Sequence, residues 1–263
     1  MNNESSSTSP SVDAEALREQ VKAKYSEVAT NPKNKFHFST GRALARKFGY
    51  DEAITSKLPD HAIESFAGVA NPFSLRDIAK GKKVVDLGSG AGFDCFIAAK
   101  LVGDEGKVVG VDMTPEMLSK AQQSAAEMDL TNTEFRNGLL EDLPIQDNWA
   151  DVVISNGVIN LCSDKPKVLL EVMRILKPGG YLQFADIANS KPVPVSATEN
   201  IDLWTAWIAG GLPCAGWKKV LSDAGFIDIE IGPGVDTFAG ASGEDNARQF
   251  GVLGYTFLAR KPA

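Results

Sequence analysis

From Lys83 onward the chain alternates short apolar runs with stretches whose apolar residues recur at helical spacing. Val84–Leu87, Lys107–Asp112, Thr133–Arg136, Asp151–Ser155 and Tyr181–Asp186 are predicted as strands. Phe93–Leu101, Pro115–Met128 and Lys165–Leu176 are predicted as the helices between them, the second with proline in its first turn. Lys177-Pro178-Gly179-Gly180 is predicted as a stop and turn before the fifth strand. This βαβα alternation requires a doubly wound parallel sheet covered by helices on both faces. Beyond it the pattern predicts a helix at Trp217–Ala224, a strand at Phe226–Ile231, a loop over 232–247 and a last strand at Val252–Ala259. Residues 187–212 interrupt the alternation with Pro192, Pro194 and an apolar helical patch at Ile201, Leu203, Trp204, Trp207 and Ile208. Upstream, Ala16, Leu17, Val21 and Tyr25 have helical spacing within Asp13–Val28, and Gly41–Phe48 is a second helical stretch. The expected organisation is a disordered Ser/Asn-rich tail (1–12), an N-terminal helical cap acting as a substrate lid (13–80) and a nucleoside-binding domain (81–263).

The first predicted strand runs into Asp86-Leu87-Gly88-Ser89-Gly90-Ala91-Gly92, and the second ends at Val111-Asp112. Glycines at a strand–helix turn admit a ligand close to the backbone, and an acid closing the next strand accepts hydrogen bonds from ribose hydroxyls. The turn reads G-x-G-x-G. Position 93, where a dinucleotide fingerprint has its third glycine, is Phe93, which argues against a nicotinamide enzyme. Asp86, two residues before the first glycine, suits an ammonium better than a pyrophosphate. Together these features point to S-adenosylmethionine, with Asp86 at its ammonium, Gly88, Gly90 and Gly92 admitting it close to the backbone and Asp112 at its ribose. Met113 follows as an adenine contact or as core packing. Gly138 and Leu139, after the third strand, are candidates for the adenine end. Asn156 and Gly157, after the fourth, are placed beside the sulfonium. Asn160 either enters the acceptor pocket or caps the next helix.

Composition narrows the partners. The chain has 263 residues, 43 % of them hydrophobic and 23 % charged, with net charge −7. These are the proportions of an ordinary folded protein, and no basic stripe suits a nucleic acid. An acidic surface and the lack of a long apolar run disfavour a membrane partner. The polar N-terminus lacks the features of a signal peptide, and three scattered cysteines form no disulfide framework, so a cytoplasmic location is expected. No His/Cys/Asp grouping has metal-ligand spacing, so no metal is expected. Of two histidines, His37 lies between Phe36 and Phe38 and is either a general base or packing. Asp186 and Asp202 are the other candidate bases.

Asp86–Cys95, Gly110–Leu118, Asp151–Asn156 and Leu176–Gly180 together resemble class I S-adenosylmethionine-dependent methyltransferases over roughly residues 65–260. Val158-Ile159-Asn160-Leu161 and Asp202–Gly211 resemble the acceptor-side segments of the arsenite methyltransferase branch. The resemblance implies a seven-stranded Rossmann-like sheet with an antiparallel last strand, and in-line methyl transfer from the sulfonium. It also implies cysteine thiolates for a soft arsenic ion, and these are missing. Gly157, Val69 and Trp207 stand where that branch's pattern has cysteine, and its vicinal N-terminal cysteines are absent as well. The expected acceptor is therefore a small organic molecule in an apolar pocket lined by Phe36, Asn160, Trp204 and Trp207. The alternatives are arsenite methylation through a rearranged pair, Cys162 and Cys214, and a cofactor-binding scaffold without chemistry. Oligomeric state is left open.

Overall fold

A computed structural model describes residues 12–191, 193–194 and 198–263. The sheet has seven strands in the order β3-β2-β1-β4-β5-β7-β6. They are β1 (Lys83–Leu87), β2 (Lys107–Asp112), β3 (Thr133–Asn137), β4 (Ala150–Asn156), β5 (Leu176–Asn189), β6 (Ile227–Ile231) and β7 (Val252–Arg260). The first five pair in parallel, and β7 runs antiparallel to both β5 and β6. Central strands covered on both faces need apolar side chains in both directions. The consecutive valines of β1, β2 and β4 meet that need: Val84, Val85, Val108, Val109 and Val153 are fully buried. The interior helices are α5 (Phe93–Val102), α6 (Pro115–Glu127) and α7 (Lys165–Ile175), each within two residues of its expected span.

Three local features depart from the sequence reading. Backbone pairing runs through Lys177–Gly180, so β5 starts at Leu176 rather than Tyr181. Gly179 has φ 75° and the register against β4 shifts between Ala150 and Val152, so the Pro-Gly-Gly stretch is absorbed as an irregularity within the strand. The expected loop over 232–247 already contains the start of a helix, Glu244–Phe250, with Glu244 and Asp245 in its first turn. The helix expected from Trp217 begins at Cys214, because Pro213 caps it in extended conformation.

The cap consists of α1 (Ala14–Thr30), α2 (Gly41–Lys47), α3 (Glu52–Thr55) and α4 (Asp60–Ile63). Asp13 starts α1 by accepting hydrogen bonds from the Glu15 and Ala16 amides at 2.9 and 3.0 Å. The segment after β5 adds α8 (Ile201–Thr205), followed by α9 (Cys214–Asp223) and α10 (Glu244–Phe250). Leu17, Val21 and Val28 of α1 share one core with Phe36, Phe38, Trp204, Trp207, Phe238 and the end of β5. The cap is thereby fixed over the carboxyl edge of the sheet. The expected tail falls mostly on residues 1–11, outside the described residues, and Val12 is buried in the cap core. Pro192 also lies outside them.

Candidate functional site

The carboxyl ends of β1, β2, β3 and β4 open on one cleft, roofed by α1 and enclosing about 1080 Å³ of atom-free space that is continuous with solvent. This is the edge at which parallel α/β sheets bind ligands. The glycine turn forms its floor. Gly88, Gly90 and Gly92 have φ of 65°, 50° and 90°, in the region that favours glycine. The Gly88 and Ser89 amides donate to the Val111 carbonyl, at 2.8 and 3.0 Å. Asp112 completes the tether: its carboxylate accepts from the Gly90 amide at 2.9 Å and from the Thr114 amide at 2.8 Å. The end of β2 therefore sets the shape of the turn after β1. Burial raises the Asp112 pKa, and the Thr114 and Gly90 amides pull it back.

Of the expected cofactor residues, Asp86, Gly88, Gly90, Asp112, Met113, Gly138, Leu139 and Asn156 all line this cleft. Gly92 and Gly157 do not. Gly92 caps α5, and a Cβ there would lie 2.7 Å from the Phe96 ring, so helix packing explains that glycine. Gly157, with φ 74°, sits between the cleft-lining Asn156 and Val158, and a Cβ on it would meet Val69.

The expected acceptor residues are also placed elsewhere. Phe36, Asn160, Trp204 and Trp207 are buried and none lines the cleft. Phe38 stacks on Trp207 at 4.6 Å, and Phe36 stacks on Phe38 at 5.6 Å. These rings form the core that seats the cap, so their apolar pattern reflects packing. Asn160 donates to the Gly157 carbonyl and braces the turn after β4.

None of the three candidate bases lines the cleft. Asp186 is fully buried and accepts from the Asn160 amide at 3.0 Å and the Ile187 amide at 2.7 Å. Burial pushes its pKa up to about 6. Asp202 is exposed on α8. His37 packs edge-on against Phe38 and Trp207, at 4.5 and 5.8 Å. Burial first, and then the Lys24 charge, lower its pKa to about 4. Between about pH 6.5 and pH 4 the unfolded chain takes up a proton that the folded imidazole refuses. The stability that His37 leaves intact at neutral pH is therefore lost as pH falls through that window. The wild type should lose about 3 kcal/mol more than His37→Gln between pH 7 and pH 4, measured by urea unfolding. An equal loss in both would show that His37 does not titrate as described.

The sequence reading expected a lid over residues 13–80 but named none of its α1 residues as cleft-lining, and it did not single out one acid. Leu17, Arg18, Val21 and Tyr25 of α1 line the cleft, and Arg18 reaches Glu141 on the opposite rim at 3.6 Å. The helical spacing of Leu17, Val21 and Tyr25 was legible, but periodicity does not say that the buried face covers a ligand site. Asp94, directly after the turn, lines the floor beside Asp86. Among the described residues neither acid has a cationic partner within 4 Å. A nucleoside with a cationic tail fits this chemistry: close backbone at the turn, an acid at the ribose position, uncompensated carboxylates and apolar walls from Met113, Met117 and Leu139.

Residues 78–225 match the family model of the methyltransferase domain. The chain is 36 % identical over its whole length to the arsenite methyltransferase of Halobacterium salinarum, spanning 71 % of that protein. Against the arsenite methyltransferase of Aquipseudomonas alcaligenes it is 39 % identical over 57 % of its own length, but spans only 46 % of that enzyme. Among solved structures, the arsenic(III) S-adenosylmethionine methyltransferase CrArsM of Chlamydomonas reinhardtii superposes with TM-score 0.70 at 31 % identity, over 86 % of this chain and 75 % of that one. The chain belongs to the class I S-adenosylmethionine-dependent methyltransferases. Within that class it stands close to the arsenite methyltransferase branch.

The three positions where cysteines of that branch were expected come together in space. A Cβ on Gly157 would lie 3.1 Å from Val69 Cγ1 and 3.7 Å from the Trp207 ring. Val69 and Trp207 are both fully buried. A valine, an indole and a bare backbone thus meet at one buried point. Of the remaining thiols, Cys95 is buried beneath the turn, and only Cys162 lines the cleft. Burial and the Glu141 charge raise the Cys162 pKa, against thiolate formation. Cys214 starts α9 and does not line the cleft. Among the described residues no three His, Cys, Asp or Glu side chains are grouped to hold a metal ion, and no helix is long and apolar enough to cross a membrane.

Proposed function

We propose that this methyltransferase transfers the methyl group of S-adenosylmethionine to a small organic acceptor rather than to arsenite. The convergence of Val69, Gly157 and Trp207 carries this reading. A soft trivalent ion needs soft donors, and an apolar cluster supplies none. When bound, S-adenosylmethionine supplies a methyl group on a positively charged sulfur. The residues of the chain then have defined tasks. Asp112 and the Gly88–Gly90 turn hold the nucleoside, while Asp86 holds the ammonium end. Val158, Leu161 and the α1 face present apolar surface to the acceptor and keep water from it. In this reading those walls would orient the acceptor lone pair for in-line displacement at the donor methyl, and the proton of a protic acceptor would pass to solvent. Orientation within the cleft supplies several kcal/mol of such a barrier without a dedicated base, in agreement with a cleft lined by neither His37 nor Asp186. In this reading α1 is the lid, and the Arg18–Glu141 pair bridges its edge to the sheet.

The test is release of S-adenosylhomocysteine across a panel of phenols, catechols, amines, thiols and quinols, with arsenite plus thiol as one member. Turnover with an organic member and none with arsenite supports the reading. Turnover confined to arsenite overturns it. Ligand binding with no turnover across the panel supports the scaffold alternative.

A further inference from the structure

Asp94 sits in the first turn of α5, lines the cleft floor and is 6 % exposed. Its two oxygens are held in different directions. Oδ1 accepts from the Tyr50 hydroxyl at 2.7 Å, and Oδ2 accepts from Asn156 Nδ2 at 3.1 Å. The same Asn156 amide donates to Tyr50 and to the Ala70 carbonyl, both at 3.0 Å, and its Oδ1 accepts from the Val69 amide at 2.9 Å. Asp86 lies beside this group, 2 % exposed, and among the described residues its carboxylate accepts from the Cys95 thiol alone, at 3.2 Å. The fold therefore buries two carboxylates at one end of a ligand cleft, orients one of them with two neutral donors and provides no cation. Buried acids without a counter-charge are costly, and a ligand cation removes the cost.

We propose that Asp94 is a second carboxylate for the ammonium end of S-adenosylmethionine, acting with Asp86 and aimed by Tyr50 and Asn156. The proposal rests on S-adenosylmethionine occupying this cleft. It assigns Asp94 a binding role and Tyr50 and Asn156 positioning roles. Because Asn156 also holds the Val69 and Ala70 backbone, the residue that aims the acid at the cofactor is joined to the cap segment on the acceptor side.

Proton linkage follows. In the empty protein Asp94 is raised to about 6, chiefly by burial. Asp86 is also raised, by burial and by the Asp94 and Asp112 charges. The titratable groups packed around the pair are Tyr50, Cys95 and Asp112, and burial keeps the first two neutral. A ligand ammonium needs the ionised acid. Below about pH 6 binding must expel a proton from Asp94, so affinity rises as pH rises through that range.

The experiment titrates S-adenosylhomocysteine and its deamino analogue, which keeps the nucleoside and the carboxylate but lacks the ammonium, into wild type, Asp94→Asn and Tyr50→Phe. Asp94→Asn should weaken S-adenosylhomocysteine about 10- to 30-fold, change the analogue less than about 3-fold and flatten the pH dependence. Tyr50→Phe keeps the acid and should show a smaller loss, about 3- to 5-fold, again confined to the ligand with the ammonium. It serves as the test if Asp94→Asn does not fold. Equal weakening of both ligands, or of neither, overturns the proposal. If the wild type binds neither ligand, the cofactor assignment of the cleft falls first and the proposal with it.

Discussion

Replacing Trp207 with alanine should lower stability by about 3–5 kcal/mol, a drop on the order of 10 °C in thermal midpoint. Trp207 is fully buried, stacks on Phe38 at 4.6 Å and meets His37 and Phe238 at 5.8 and 6.3 Å. Truncation removes a large apolar surface and leaves a cavity at the seam between cap and sheet, and stacked rings lose their pair energy as well. The backbone adds a second effect. Trp207 has φ 60°, a conformation that costs a bulky L-residue about 1–2 kcal/mol. Glycine is free of that strain, so Trp207→Gly should be no less stable than Trp207→Ala, although glycine ordinarily weakens a folded segment. Urea unfolding of both variants checks this. An alanine variant within 1 kcal/mol of wild type would contradict the packing described.

Asp112→Ala should weaken S-adenosylhomocysteine about 100-fold, or about 2.7 kcal/mol, while shifting the thermal midpoint by only a few degrees. Two losses combine. The carboxylate lines the cleft at the position suited to ribose hydroxyls, and it also holds the Gly90 and Thr114 amides. Without it those amides lose their acceptor and the turn loses its tether. Stability is affected less, since removing a buried charge offsets part of the lost hydrogen bonding; burial already raises the Asp112 pKa. Asp112→Asn keeps an acceptor oxygen for one amide and should fall between the two. Calorimetric titration measures all three proteins. Wild-type affinity in Asp112→Ala would place the nucleoside elsewhere.

The floor of the cleft was legible because backbone demands fix its residues. Gly88 and Gly90 are required by positive φ, and Asp112 is fixed by the end of its strand, so residue type reports position directly. The acceptor half was not legible for the opposite reason. Phe36, Trp204 and Trp207 were read as pocket walls, but rings that pack a core and rings that line a cavity have the same spacing along the chain. Only the stacking on Phe38 and the absence of exposed ring surface separate the two. Asp94 was passed over because a carboxylate in a first helical turn reads as an ordinary dipole-complementing acid; its burial with Tyr50 and Asn156 requires tertiary structure. The replaced cysteines were visible one by one at Val69, Gly157 and Trp207. That they meet at one point depends on segments nearly 140 residues apart, counted from Val69 to Trp207.

If the acceptor is an organic molecule, as proposed, the protein binds S-adenosylmethionine but does not methylate arsenite. The most direct measurement incubates the protein with S-adenosylmethionine, arsenite and excess thiol and speciates the arsenic by mass spectrometry, with donor binding verified by titration in the same buffer. The account predicts bound donor and no methylated arsenic. Methylarsenic formed in repeated turnovers would contradict it.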